Sequence, residues 1–173
     1  MTQTAAASAG FTIVELLIVI FISGIITTIV VLAPSGFLKT ARDQERVDDV
    51  TSIGRRLEDA YTAQDLGRPA YPSTTELAAD IPNRVRTVSR LSEDAFKAPT
   101  LSTNSVFSAT STSLTAPLSG GPTANQYVYQ PFTASNALCT ASNSASDPCV
   151  RFNLFYRIEA TNIITIIKSV NQQ

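Results

Sequence analysis

The chain has 173 residues, 44% of them hydrophobic, and a formal net charge of −1 at pH 7. This length fits one domain with a core of modest size, and the near-neutral charge provides no basic footprint for nucleic acid. The absence of His removes the commonest general base and the commonest transition-metal ligand, which weakens both the enzyme and the metal-protein interpretations.

Charge is distributed very unevenly along the chain. Glu15 is the only charged residue among the first 38, and all 13 Lys and Arg residues lie from Lys39 onward. The sequence therefore predicts an apolar N-terminal piece followed by a polar domain over residues 39–173.

Residues 11–33 form an apolar run of 23 residues, FTIVELLIVIFISGIITTIVVLA, with one charge. As a helix it would be about 35 Å long, enough to cross a bilayer. A buried soluble helix is disfavoured by this uniform composition. A cleaved signal peptide is disfavoured as well. Signal peptides have an apolar run of about 7–15 residues that follows basic residues, whereas this run has 23 residues and no basic residue before it. An ordinary membrane anchor stays open, but it leaves Glu15 unexplained.

Glu15 is the informative residue in this run, because a carboxylate in an apolar membrane segment is costly and usually marks a functional pairing. It is the fifth residue when counting starts at Phe11. Cleavage between Gly10 and Phe11 would give Phe11 a free ammonium. That ammonium is a natural partner for the Glu15 carboxylate of a neighbouring copy.

Residues 10–20, GFTIVELLIVI, resemble the prepilin motif of type IV pilins and type II secretion pseudopilins. The resemblance implies that a prepilin peptidase removes a leader, residues 1–10, by cutting after Gly10. It also implies N-methylation of Phe11, an inner-membrane assembly platform as partner, and Glu15 as the residue that sets subunit register. Residues 11–38 would be the transmembrane and polymerisation helix.

Two further positions resemble helix-loosening sites of that family, Gly24 and Pro34. The leader departs from the family pattern because it contains no Lys or Arg. By the positive-inside tendency, Lys39, Arg42 and Arg46 would favour placing the C-terminal end of the apolar helix in the cytoplasm. That orientation is opposite to the one the pilin resemblance implies. The motif outweighs this bias because it is the more specific signal.

After Lys39 the pattern becomes that of an amphipathic helix. Apolar residues recur at three- and four-residue steps: Val47, Val50, Ile53, Leu57 and Tyr61. The mixed charges of this segment indicate a solvated helix face rather than a binding site. They are Arg42, Glu45, Arg46, Asp48, Asp49, Arg55 and Arg56. The sequence predicts one long helix over residues 11–64, with its end marked by Gly67, Pro69 and Pro72.

Two weaker elements are predicted next. Residues 73–80 indicate a short helix, capped by Ser73 or Thr74 with Glu76 in its first turn. The Ser/Thr-rich residues 99–124 indicate a surface loop with one short strand. Flexible low-complexity filler and a glycosylated or variable filament face are both open interpretations of this segment.

The C-terminal third is typical of strands, over residues 127–129, 150–158 and 163–167. In the second strand the apolar side alternates with a polar side: Phe152, Leu154 and Tyr156 against Arg151, Asn153 and Arg157. The predicted fold class is α+β, with the long N-terminal helix packed on a small antiparallel β-sheet head.

Cys139 and Cys149 are separated by nine residues. In an exported chain such a pair favours a disulfide, and the alternative is two reduced thiols in a cytosolic chain. No metal site is predicted without His or further Cys. The resemblance implies that the disulfide loop is exposed and used for contacts.

The sequence favours a non-catalytic role without cofactors. The Gly pair at 120–121 precedes Pro122 and indicates a turn rather than a phosphate loop, and a triad with His is impossible. We expect a type IV pilus subunit for adhesion, twitching motility or DNA uptake. It would be a precursor in the cell membrane and then part of an extracellular helical polymer of identical or related pilin subunits. A pseudopilin of a secretion or competence system, a minor tip pilin and a permanently anchored binding domain are the alternatives.

Overall fold

The computed structural model describes residues 11–31, 35–78 and 93–170. It contains two compact units, Met1–Phe37 and Leu38–Gln173.

Two helices, α1 (Ile13–Val31) and α2 (Ser35–Ala63), occupy the part of the chain for which one long helix is predicted. Residues 32–34 between them lie outside the described residues. Among the residues that are described, no helix is both long enough and apolar enough to cross a membrane, in contrast to the predicted transmembrane helix.

The amphipathic pattern of α2 is confirmed by its packing. Val50, Ile53 and Leu57 are completely buried, because they recur on one side of the helix and face the core. Beyond the end of α2, Gln64 and Gly67 take left-handed conformations, with φ of 57° and 76°. The chain turns away there, close to the predicted end of the helix.

The short helix α3 (Thr74–Ala78) confirms the predicted element within the described residues. A Glu76 carboxylate oxygen accepts a hydrogen bond from the Ser73 backbone N–H at 2.6 Å. This bond is one half of a capping box, so Ser73 is the N-cap.

In the part of the head that the structure describes, four strands form the sheet: β1 (Val106–Ser108), β2 (Tyr127–Thr133), β3 (Cys149–Arg157) and β4 (Ile164–Lys168). Their spatial order equals their chain order. The α+β class and the meander of the last three strands are confirmed. The sheet is mixed rather than wholly antiparallel, because β1 runs parallel to β2 after the long connection between them.

The main core lies between α2 and one face of the sheet. Phe152, Leu154 and Tyr156 of β3 belong to it, as the alternation predicts. Tyrosine hydroxyls that reach into this core have acceptors. Tyr129 donates to the Pro72 carbonyl at 2.7 Å, which removes the cost of burying its hydroxyl.

The opposite face of the sheet is also covered, which the sequence does not predict. Val128 and Phe155 are buried there with Ala109, and Asn153 is only 2% exposed. The Ser/Thr-rich segment lies over this face. The side-chain nitrogen of buried Gln130 donates to two backbone carbonyls of that segment, those of Ser111 and Ser113. Of the two open interpretations, flexible filler is wrong for the part that makes these bonds, because that part is hydrogen-bonded to the sheet.

An ionic network joins α2 to the loop between β3 and β4. Arg46 is 1% exposed, and its guanidinium donates to the Asp43 carboxylate at 2.8 Å and to the Glu159 carboxylate at 3.1 Å. Arg42 donates twice to the same Glu159 carboxylate, at 2.9 and 2.5 Å. The Arg42 bonds are the main reason that the pKa of Glu159 falls to about 2.

Asp43 completes the network from the other direction. Its two carboxylate oxygens accept the backbone N–H groups of Glu159 and Ala160, at 2.7 and 2.9 Å. The predicted solvated face of α2 is therefore wrong at Arg46, which is buried together with Asp43 because the loop after β3 closes over them.

Asp49 is expected to make the head less stable as the pH rises through the weakly acidic range. Burial raises the pKa of this carboxyl from 3.8 to about 6, against the opposing effect of a hydrogen bond donated by the Tyr127 hydroxyl. The folded state therefore favours the protonated form. The stability that Asp49 contributes is present below about pH 4 and is lost as the pH rises through about 6.

The test is the denaturant midpoint of the full chain in detergent at intervals between pH 4 and pH 7. Asp49→Asn should flatten the decline over this range, because the amide still accepts the Tyr127 hydrogen bond and does not ionise. Asp59→Asn, on an exposed position of the same helix, is the control. An unchanged pH profile in Asp49→Asn would show that another group causes the decline.

Candidate functional site at the N-terminal helix

Thr12 is the residue from which α1 begins. Its Oγ1 accepts the backbone N–H of Glu15 at 3.2 Å, and its carbonyl accepts the N–H of Leu16 at 3.2 Å. These are the bonds of an N-cap, and a Thr followed three residues later by Glu is the capping-box spacing. Sequence reasoning missed this role for Thr12, although the spacing is visible in the sequence.

The cap fixes where the helix starts relative to the predicted cleavage site. Phe11 lies immediately before the cap, and Glu15 lies in the first turn. A carboxylate in the first turn is stabilised by the positive end of the helix dipole. The predicted N-terminus and the predicted register residue are therefore held at the same end of α1. Gly10, the other residue of the predicted cleavage site, lies outside the described residues.

Glu15 has no ionic partner among the described residues. Glu15 is exposed, and no salt bridge within the described ranges includes its carboxylate. The carboxylate is available for a group from another molecule.

The large apolar residues of α1 lie open rather than packed in a core. Together with Phe11 they are between 48% and 82% exposed: Ile13, Val14, Leu16, Leu17, Ile18, Val19, Ile20, Phe21, Ile22, Ile25 and Ile26. An apolar groove of about 330 Å³ on this surface is lined by Phe11, Leu16, Val19 and Ile20. A contiguous apolar surface of this kind marks an interaction site.

The hydroxyl groups of α1 are satisfied within the helix itself. Ser23 donates to the Val19 carbonyl, Thr27 to the Ser23 carbonyl at 2.7 Å, and Thr28 to the Gly24 carbonyl at 2.8 Å. A hydroxyl that bonds the carbonyl four residues earlier needs no water. These polar residues therefore do not prevent α1 from entering an apolar environment.

Of the two predicted helix-loosening positions, Gly24 and Pro34, only Gly24 lies among the described residues. Gly24 lies inside α1, and a Cβ added there would meet no atom within 4 Å. Its lack of a side chain is therefore not required by packing within the chain. Pro34 lies outside the described residues. The role of both positions stays a prediction.

Comparison with known protein families provides the deciding observation. Residues 6–31 match the family model described as the prokaryotic N-terminal methylation motif. The chain carries the N-terminal methylation motif of type IV pilins and pseudopilins. The matched range includes Gly10, Phe11 and Glu15, and it extends to the last residue of α1. No curated protein and no solved structure is significantly similar to the chain.

Far from the methylation motif in sequence, Cys139 and Cys149 form a disulfide whose cysteines are buried. The backbone carbonyl of Cys149 accepts the Tyr71 N–H at 2.8 Å, and that of Cys139 accepts the Thr74 N–H at 3.0 Å. The disulfide therefore also fixes the segment that leads into α3.

The loop that the disulfide closes is partly exposed. Ala141, Ser142, Ala145 and Ser146 are its exposed residues. Asp147 fastens the loop to the turn after β2, because its carboxylate accepts the Ser135 hydroxyl at 2.6 Å and the Ala134 N–H at 3.1 Å. The Ser135 hydroxyl is the main cause of the lowered pKa of Asp147.

Removing the disulfide is expected to destabilise the head without altering the methylation motif. The double variant Cys139→Ser and Cys149→Ser should lose about 2–3 kcal/mol of unfolding free energy, because a short loop is released in the unfolded chain. Urea unfolding of the full chain in detergent measures this. The wild-type chain in reductant should match the variant. Equal stability of variant and oxidised wild type would contradict the expectation.

Within the described ranges, no cluster of three or more Cys, Asp or Glu residues is placed to hold a metal ion. The predictions of no metal and no cofactor stay predictions.

Proposed function

We propose that this chain is a structural subunit of a type IV pilus filament, processed from a membrane-held precursor. The observation that carries the proposal is the exposed apolar surface of α1 within a matched methylation motif. The proposed role is non-catalytic, and the apolar helix is the part of the chain that performs it.

Burial of α1 against neighbouring subunits would supply the cohesion of the filament. Each large apolar side chain that moves from water to a packed interface contributes about 1.5–3 kcal/mol before ordering costs. Many large apolar side chains lie exposed on α1. Their summed burial is large enough to hold a polymer without covalent bonds.

The charges at the start of α1 would decide how neighbours align. Cleavage after Gly10 places an ammonium on Phe11, next to the positive end of the helix dipole, where a cation is unfavourable. A carboxylate from another subunit relieves this, and Glu15 is exposed and without an ionic partner in the described chain. In an apolar filament centre the pair would be strong, because little water screens it. This sets one axial offset between subunits.

The head would form the outer surface of the filament, where adhesion, twitching motility or DNA uptake takes place. A prepilin peptidase and an inner-membrane assembly platform are the proposed partners before assembly. The precursor would be in the cell membrane and the assembled filament on the cell surface.

A pseudopilin of a secretion or competence system is the second candidate, because pseudopilins carry the same motif. The two differ in product: a pilin yields filaments that can be sheared from cells. A permanently anchored binding domain would yield none.

Mass spectrometry of the N-terminal peptide from sheared surface filaments tests the proposal. We expect a peptide that begins at N-methylated Phe11. Processed chain found only in the membrane fraction would favour the pseudopilin. Chain that still begins at Met1 and is found only in membranes would exclude both and leave the anchored domain.

A further inference from the structure

A polar depression on the covered face of the sheet has no role in the proposed function. Its volume is about 300 Å³, and its lining residues are Thr112, Leu114, Phe132, Asn136, Arg151, Asn153 and Lys168. The floor follows from strand register, because Asn153 pairs with Lys168 on β4, and Phe132 pairs with Arg151. Thr112 and Leu114 come from the segment that covers the sheet.

Asn153 lines this depression and holds an unpaired, buried hydrogen-bond acceptor. It is 2% exposed, and its Oδ1 has no hydrogen-bond partner among the described residues. The oxygen itself has less than 1 Å² of exposed surface, so a ligand donor reaches it only after a small shift of the side chains that line the depression. A buried polar atom without a partner is costly, and gaining a donor would favour that shift.

The orientation of this amide is fixed by its neighbours. The backbone carbonyls of Ser111 and Ser113 can only accept, so Gln130 must turn its nitrogen toward them, at 2.7 and 3.0 Å. The Gln130 oxygen then accepts the Asn153 nitrogen at 2.9 Å. Asn153 is left with its oxygen free, so the missing partner must be a donor, such as a hydroxyl.

The positive charges that line the same depression favour an anionic ligand. Arg151 and Lys168 both line the depression, none of the lining residues is an acid, and neither cation has a salt bridge in the described ranges. Arg151 donates from Nη2 to the Thr133 carbonyl and to Asn136. Its Nε and Nη1 donate to no described residue, so either of them can donate a single charge-assisted hydrogen bond to a carboxylate.

The remaining lining atoms suit the carbon face of a sugar ring. Leu114 is 50% exposed, and Phe132 is partly exposed beside Arg151. We propose that this depression binds a carboxylated saccharide unit. The carboxylate contacts Arg151 and Lys168, a ring hydroxyl donates to Asn153 Oδ1, and the C–H face lies on Leu114 and Phe132. The proposal goes beyond the filament role and does not depend on it.

The experiment uses the full chain, labelled with ¹⁵N in detergent micelles, titrated at physiological salt with sodium galacturonate and followed by NMR. Galactose, sodium acetate and glycine are the comparison probes, since each lacks the carboxylate or the ring hydroxyls. We expect saturable shifts that include the Asn153 side-chain amide, with galacturonate binding at least about tenfold tighter than each comparison probe.

The matched variants locate the site. Lys168→Gln, at an exposed position, should weaken galacturonate binding about tenfold, whereas Lys39→Gln, which removes an exposed lysine from α2, should not. Arg151→Gln should also weaken binding, because it removes the second cation at the site.

Three results would overturn the proposal. The absence of saturable galacturonate binding would exclude the site. Equal binding of acetate or glycine would reduce it to an attraction for any carboxylate. Full binding by Lys168→Gln would place the ligand elsewhere. Because the titration uses unassembled chain, a failure here leaves the filament proposal untouched.

Discussion

Replacing Glu15 by alanine is expected to abolish surface filaments while leaving the precursor in the membrane fraction. Glu15 is exposed at the first turn of α1 and has no salt bridge in the described ranges, so its removal costs the isolated chain little. In the proposed filament its loss leaves the Phe11 ammonium of a neighbour unpaired in an apolar centre. An unpaired charge there costs several kcal/mol for every subunit added.

The measurement is the amount of chain in the sheared fraction, compared with the amount in membranes. Glu45→Ala is the control, because Glu45 is an exposed glutamate on α2. We expect at least a tenfold loss of sheared chain for Glu15→Ala and no loss for Glu45→Ala. Normal filaments from Glu15→Ala would remove the register role and leave apolar burial as the sole proposed cohesive term.

Coexpression separates the pairing from a general defect of α1. An alanine variant still carries its own Phe11 ammonium, which can pair with Glu15 of a wild-type neighbour. We therefore expect Glu15→Ala chains in mixed filaments, below their share of total chain. Complete exclusion from mixed filaments would show that Glu15 acts within its own subunit or before assembly.

Replacing Arg46 by methionine is expected to lower the unfolding free energy of the head by about 3–5 kcal/mol. Arg46 is 1% exposed and bonds to Asp43, to Glu159 and to the Ala124 carbonyl at 2.8 Å. Methionine fills a similar volume but supplies no donor. Two carboxylates and a carbonyl then lose a buried partner, which costs more than the packing regains.

Urea unfolding of the full chain in detergent at pH 7 measures this loss. Arg55→Met on the same helix is the control, because Arg55 is exposed, and its effect should stay within about 0.5 kcal/mol. A loss for Arg46→Met no larger than for Arg55→Met would show that water replaces the guanidinium at no net cost.

The candidate site at the N-terminal helix was largely predictable from the sequence. An apolar run, a single carboxylate and the residues around Gly10 and Phe11 are local signals, and residues 6–31 match the methylation motif. Even the cap at Thr12 follows from a local signal, the three-residue spacing between Thr12 and Glu15. Local signals suffice because this candidate site is one helix with its own exposed apolar surface.

The head was predictable in its elements and less so in its surfaces. The periodicity of α2 and the alternation in β3 placed the main core correctly, because period reports which side of an element is apolar. The same alternation placed Asn153 on the polar side of β3, and the structure shows that this residue is buried. Composition could not show that a Ser/Thr-rich segment would return across the sheet, since that depends on contacts distant in sequence.

The sequence by itself determined the class of the fold and the nature of the N-terminal helix, because both follow from hydrophobic period and short motifs. Only the tertiary structure decided that Arg46 is buried in an ionic network, that β1 runs parallel to β2, and that Asn153 lines a cationic depression. Each of these depends on residues far apart in the chain, such as Arg46 and Glu159. Single-chain patterns carry no signal for such pairs, and only the folded chain brings them together.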